Sequence, residues 1–247
     1  MILNFHGKKA LVLGGSCDLA LTLAAAMMDA GIYPLLTFRN EEGRKKIAGR
    51  LLPGGGSYGA CYLDFGDRDS LASLLAQGGD EIDFVVDFVQ GDFEGYVAAA
   101  DEARVYQYFN DNVSFRAELL KKVARIMVKR KKGRFVFISS VAAARTNPGQ
   151  GFYAAAKLAS EALYRNLGLE LGRKGITAVT LRPGYIRAGR GKAYLEAHGE
   201  EALRLVPTGR FLTKSEVAET ILFLLSESAG GFNATELTMD GGLTACK

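Results

Sequence analysis

Cysteine and histidine are scarce in this 247-residue chain, at three and two. Cys17, Cys61 and Cys246 are widely spaced, odd in number and far from His6 and His198. They offer neither a disulfide framework nor zinc-ligand spacing, and read as buried or incidental thiols in a reducing compartment. No apolar run reaches the roughly 18 residues that a membrane-spanning helix needs. No charged-then-apolar leader precedes the first apolar strand near Lys8. A cytoplasmic protein with no membrane partner is therefore expected. Strong charge of either sign is also missing, with 31 Lys and Arg against 27 acids, a net +4. Because opposite charges are interspersed, this argues weakly for anionic small ligands and hardly at all for nucleic acid. No linker, composition break or internal repeat divides the chain, so one domain over residues 1–247 is expected.

What the chain does have is apolar content, 48% hydrophobic with 10% aromatic, ample for a large core. Short apolar runs alternate with helical patterns. Strands are expected at 8–15, 32–38, 58–63, 82–88, 135–138, 177–181 and 237–239. Helices are expected at 16–30, 41–51, 68–77, 103–132, 151–173 and 213–226. The first βαβ unit, about thirty residues long with glycines at its first turn, has dinucleotide-binding geometry. The pattern predicts an α/β fold, a single-domain Rossmann-type doubly wound parallel sheet of about seven strands. Its site would lie at the strands' carboxyl ends.

Chemistry concentrates in GRFVFISSVAAARTNPGQGFYAAAK, residues 133–157. A buried strand ends in Ser139-Ser140, and after a loop with Asn147, Pro148 and Gly149 an alanine-rich helix carries Tyr153 and Lys157. A spacing of four puts phenol and ammonium on one helix face. The cation favours the phenolate, bringing proton loss closer to neutrality than the ~10 of a free phenol. Ser140 would hydrogen-bond a carbonyl or alkoxide oxygen beside it, an arrangement suited to carbonyl–alcohol interconversion. A bare Tyr-x-x-x-Lys is a weak signal, by itself better read as a helix-surface pair.

With Ser140 thirteen residues ahead of Tyr-x-x-x-Lys, the chain resembles the short-chain dehydrogenase/reductase family, and most of all its 3-oxoacyl-carrier-protein reductase branch. Asn112 in YFNDNVSF, the strand end LRPGYIR and the last strand LTMDGG extend the resemblance over essentially the whole chain. It implies an NAD(P)H-dependent oxidoreductase interconverting a ketone and a secondary alcohol. The catalytic residues would be Asn112, Ser140, Tyr153 and Lys157. Asn112 would keep a relay water beside Lys157, Lys157 would hold the nicotinamide ribose, and Tyr153 would donate the proton.

The same resemblance places the cofactor-binding residues at Gly14, Ser16, Cys17, Asp18, Leu19, Arg39, Asp64, Phe65, Phe88, Val89, Tyr153, Lys157, Pro183, Gly184 and Ile186. Several departures bear on that placement. Asp18 and Ala20 stand where the glycine-rich turn has glycines, and Asp18 would either face a like-charged pyrophosphate or cap the helix. Asp87-Phe88-Val89-Gln90 replaces Asn-Asn-Ala-Gly, and Ala188 replaces a threonine. Arg39 at the end of the second strand favours the 2′-phosphate of NADP over NAD. Asp64 would meet the adenine or cap the following turn.

Residues about 185–212 would form a substrate lid, with Arg187, Arg190, Lys192, Arg204 and Arg210 facing an anionic or carrier-bound acyl substrate or merely solvent. Lys131 and Lys174 lie where carrier-protein-dependent relatives present basic residues. Excess apolar surface on the tyrosine helix (Ala154, Ala155, Ala156, Leu158, Leu163 and Leu167), together with the resemblance, implies a homodimer or homotetramer. The rival reading is a degenerate protein of the same fold with weakened or lost coenzyme binding, acting as a binding or regulatory protein. An enoyl reductase or sugar epimerase is a third reading; the three-residue gap between Tyr153 and Lys157 speaks against the enoyl reductases.

Overall fold

The computed structural model describes residues 3–52, 55–78, 81–145, 147–189 and 191–245. Seven segments form one parallel sheet: β1 (Lys9–Leu13), β2 (Tyr33–Phe38), β3 (Gly59–Tyr62), β4 (Phe84–Asp87), β5 (Gly133–Ile138), β6 (Ile176–Pro183) and β7 (Thr235–Met239). Their order is β3-β2-β1-β4-β5-β6-β7. Runs such as Ala10-Leu11-Val12-Leu13 and Phe135-Val136-Phe137-Ile138 are apolar on both sides because helices cover both faces. The helices are α1 (Asp18–Asp29), α2 (Glu41–Leu51), α3 (Arg68–Gly78), α4 (Glu102–Phe109), α5 (Phe115–Arg130), α6 (Gly151–Leu171), α7 (Gly191–Arg204) and α8 (Lys214–Leu225).

One core unites Leu23 and Met27 of α1, Ile47 of α2 and Ile221 of α8 with Val12 and Val136 of the sheet. The other unites Leu71 of α3, Leu119 and Val123 of α5 and Tyr164 of α6 with Leu11, Val85 and Phe137. Alternate residues of a strand feed opposite cores, as the period of two demands. β1 pairs with β2 on one side and β4 on the other, so the winding reverses there. The crevice at that reversal is where such sheets bind ligands.

Strand and helix boundaries fall within a few residues of expectation. β6 and β7 extend beyond 177–181 and 237–239, paired from Val179↔Thr235 to Pro183↔Met239. The larger difference is in 103–132, expected as one helix. It divides into α4, a π-helical turn at Asn110–Ser114, and α5. Such a wide turn rotates the next helix about its axis and is common at functional sites. It turns Asn112 inward, where the residue is 4% exposed.

A candidate active site at the carboxyl end of the sheet

β5 delivers Ser139 and Ser140 to the sheet's carboxyl edge. Ser139 is buried, and its hydroxyl donates to Glu161 Oε1 at 2.5 Å. Ser140 is half-buried and caps the short 3-10 turn Val141–Ala143, its Oγ accepting from the Ala142 N–H at 3.2 Å. α6 begins at Gly151, places Tyr153 half-buried in its first turn and Lys157 one turn later, 2% exposed. The Lys157 ammonium donates to the Ile138 carbonyl at 2.7 Å. It lies 4.7 Å from the Phe137 ring centroid and 5.9 Å from that of Tyr153. The cation thus lies between the phenol and the end of β5, which leads into Ser140.

Asn112 joins them from behind through Ser160, one turn beyond Ala156 on α6. Ser160 Oγ donates to the Ala156 carbonyl at 2.8 Å and lies 3.5 Å from the Asn112 carbonyl. The Asn112 amide is engaged at both ends: Oδ1 accepts from the Gly91 N–H at 2.6 Å and Nδ2 donates to the Tyr108 carbonyl at 2.8 Å.

Gly14, in the turn after β1, has φ +71, a conformation that favours glycine. A Cβ there would stand 3.3 Å from both the Val89 nitrogen and its Cγ2. Cys17 is the N-cap of α1, its Sγ accepting from the Ala20 N–H at 3.4 Å. Burial pushes its thiol up, away from the thiolate. Asp18 therefore does not cap α1. Its carboxylate pairs with Lys46 of α2 at 2.8 Å, and that bond lowers its pKa below the ordinary carboxylate value. The like charge anticipated in the turn thus has its own cation. Ala20 lies wholly in the core, as does Leu19 at 9% exposure, while Ser16 abuts Gly43 at the start of α2.

Arg39 is exposed at the end of β2, just ahead of Asn40, which caps α2. Asp64 caps the next turn, Oδ1 accepting from the Gly66 N–H at 3.0 Å. The Phe65 side chain is buried against Phe115, centroids 4.5 Å apart, so it offers a ligand only backbone. Phe88 and Val89 are half-buried, one against each core. Pro183 ends β6, and Gly184 approaches Asp240 so closely that a Cβ would lie 2.9 Å from its Cα. Ile186 bridges to Leu212, joining the two ends of the segment 185–212. A positive-φ glycine, a helix N-terminus with a neutralised carboxylate, an exposed arginine and a buried lysine at the far end fit a dinucleotide laid along this edge.

The segment 185–212 holds a cavity of about 770 Å³ lined by Arg187, Leu195, His198, Leu203 and Phe211 among others. Its helix α7 kinks at His198. Arg187 stacks over Phe211 at 5.5 Å, Arg210 pairs with Glu216 at 2.7 Å, and Arg204 is exposed. Arg190, the Lys192 side chain and Cys246 lie outside the described residues. On α6, Ala154 and Ala156 are buried and Leu163 and Leu167 pack on the core, whereas Ala155 and Leu158 are exposed. Among the described residues no helix is long and apolar enough to cross a membrane, and no cluster of metal-ligating side chains occurs.

Sequence reasoning missed the charged groups beneath this surface. Asp87 and Arg116, both fully buried, pair at 2.8 Å. Glu161, one turn past Lys157, pairs with Arg182 of β6. The available signal was arginine on the apolar stripe Phe115, Leu119, Val123, where an unpaired charge is not tolerated.

A family model described as enoyl-(acyl-carrier-protein) reductase matches residues 17–244. A solved short chain dehydrogenase/reductase family protein is 31% identical, with a TM-score of 0.87 and full coverage of both chains. The chain belongs to the short-chain dehydrogenase/reductase family. It is 29% identical over 245 residues to the 3-oxoacyl-[acyl-carrier-protein] reductase FabG of Escherichia coli, covering 98% of this chain and 99% of that one. It is also similar to a gluconate 5-dehydrogenase from Burkholderia cenocepacia in complex with NADP and tartrate (25% identity, TM-score 0.90, 99% and 98% covered). As a member of the family it is an oxidoreductase acting on CH–OH groups and their carbonyl counterparts.

Proposed function

We propose that this site reduces a ketone to a secondary alcohol, with Tyr153 as proton donor, Ser140 as hydrogen-bond donor to the reacting oxygen and Lys157 as the cation that tunes Tyr153. The observation that carries the assignment is Lys157: buried, one turn beneath the phenol, and anchored to the Ile138 carbonyl. A buried ammonium beside a phenol lowers the energy of the phenolate and so assists proton transfer. A bound nicotinamide supplies or takes up the hydride. As the ketone carbon is reduced, Tyr153 passes its proton to the developing alkoxide, and Ser140 stabilises that oxygen. Gly14, Ser16, Cys17, Asp18 and Leu19 would cradle the pyrophosphate. Asp64, Phe65 and Phe88–Val89 would border the adenosine, and Pro183, Gly184 and Ile186 the nicotinamide.

NADP is the preferred coenzyme in this reading, because Arg39 stands exposed where a 2′-phosphate arrives, and the Burkholderia relative is solved with NADP. The substrate is a small carbonyl compound, carrier-bound if Lys131 and Lys174, both exposed, greet an acidic carrier. The exposed Leu158 and Leu169 of α6 suit pairing with a second copy. The Asp18–Lys46 pair supports an enzyme over a coenzyme-free binding protein, since it gives the carboxylate in the glycine-rich turn a cation of its own. The short Tyr153–Lys157 spacing favours ketone over enoyl reduction.

Tyr153→Phe tests the mechanism. Turnover of a 3-oxoacyl substrate should fall by about a thousandfold or more, within the range of a lost general acid and its oxyanion contact. NADPH affinity, read by nicotinamide fluorescence, should stay within about threefold of wild type. Full activity in that variant removes Tyr153 as the acid.

A further inference from the structure

Arg116 is wholly buried in the middle of the protein, 0% exposed, at the start of α5. Its guanidinium reaches four acceptors. Nε donates to Asp87 Oδ2 at 2.8 Å, Nη1 to Ser160 Oγ at 2.8 Å and to the Asn112 carbonyl, and Nη2 to the Val89 carbonyl. Tyr164 donates to the same Asp87 oxygen at 2.8 Å, and burial first, then the neighbouring carboxylate, keeps that phenol protonated well above its ordinary pKa. Asp87 Oδ1 accepts from the Val89 N–H at 2.9 Å. Both peptide groups of Val89 are thus bound to one ion pair. Gly91 is tied to it as well, because its N–H donates to the Asn112 side chain while Arg116 holds the Asn112 carbonyl.

The turn at 88–91 faces the glycine of the cofactor cradle, with Val89 3.3 Å from where a Gly14 Cβ would stand. A shift of a few tenths of an ångström in Val89 would change the width of that cradle. We propose that Arg116 is a positioning residue for the coenzyme, clamping the 88–91 turn at Val89 and, through Asn112, at Gly91. The inference rests on the nicotinamide-coenzyme reading given above. A lysine cannot replace the clamp, since a single ammonium lacks the planar fork that reaches acceptors on three sides.

The test compares wild type with Arg116→Lys and with the double variant Asp87→Asn/Arg116→Met. The double variant removes both charges together, a change that buried pairs often tolerate in stability. NADPH dissociation constants come from nicotinamide fluorescence, melting temperatures from circular dichroism, and kcat and KM from reduction of a 3-oxoacyl substrate at saturating coenzyme. Both variants should bind NADPH about tenfold more weakly, equal to about 1.4 kcal/mol, with kcat within about threefold. The double variant should also melt within a few degrees of wild type, a split that a merely structural role would not give. Wild-type affinity in either folded variant overturns the inference alone. A wild-type protein that binds neither NADPH nor NADH overturns the coenzyme reading and the inference with it.

Discussion

Two buried ion pairs lie beneath the two halves of the proposed site, one catalytic and one for coenzyme, and they do different things. Under the catalytic half, Glu161 of α6 accepts from Ser139 and holds Arg182 of β6, whose side chain is still 18% exposed. Ser139 and Arg182 also belong to regular ladder geometry, with the Ser139 N–H bonded to Leu181 at 2.8 Å and Arg182 in register with Thr238. Under the coenzyme half, Asp87 and Arg116 are both at 0% and the backbone they hold, at 88–91, lies beyond the end of β4. Regular secondary structure supplies its own hydrogen bonds, whereas an irregular turn next to a ligand must take them from side chains. The catalytic half is therefore held mainly by strand and helix, and the coenzyme half by charge.

The sharpest way to break that contrast is to neutralise one carboxylate in each pair. Asp87→Asn leaves Arg116 as an uncompensated buried cation and should destabilise the protein by about 3–5 kcal/mol, lowering the melting temperature by roughly 10 °C or more. Glu161→Gln should cost only about 1–3 kcal/mol, because Arg182 can turn toward solvent. Chemical denaturation of the two variants side by side decides it, and equal losses would erase the distinction. A smaller effect is expected at the rim of the coenzyme half. Arg39→Asp should swing preference from NADPH toward NADH in KM ratios and change stability by no more than about 0.5 kcal/mol. An unchanged ratio makes Arg39 an ordinary surface residue.

The smallest effect is expected far from both pairs, at the start of α8. The Glu216 carboxyl is pulled from the ordinary 4.5 to about 2 by Arg210 and by the capping hydrogen bonds of Thr213. Since the folded state favours the charged form, its stabilising contribution is complete above pH 4.5 and is lost as pH falls toward about 2. Hydrogen-exchange protection along α8, relative to the intrinsic rate at each pH, should fall over that window, and Glu216→Gln should remove that fall.

Much of the architecture was legible because apolar runs ending in Gly, Ser or Pro mark parallel strands with little ambiguity. The proposed catalytic residues stand out for a related reason: a serine at a strand end and a tyrosine–lysine pair on one helix face form a spacing that chance seldom produces. What stayed hidden was tertiary. Nothing local says that Cys17 rather than Asp18 caps α1, since the choice depends on Lys46 arriving from α2. Nothing local marks the π-helical turn, because Asn110, Asp111 and Asn112 are acceptable in a plain helix. Asp87 looked like a worn coenzyme motif until Arg116, 29 residues away, supplied its counter-ion.

That wide turn at Asn110–Ser114 also sets the phase between two neighbours. Before it, Tyr108 looks into the aromatic cluster of Phe93 and Phe152; after it, Phe115, Leu119 and Val123 look into the sheet. Remove one residue from the turn and the second helix would rotate by about 100° relative to the first. Arg116 would then leave the interior along with the stripe it belongs to. A single amino acid of slack in an otherwise ordinary helix thus decides whether a wholly enclosed guanidinium faces a carboxylate or water.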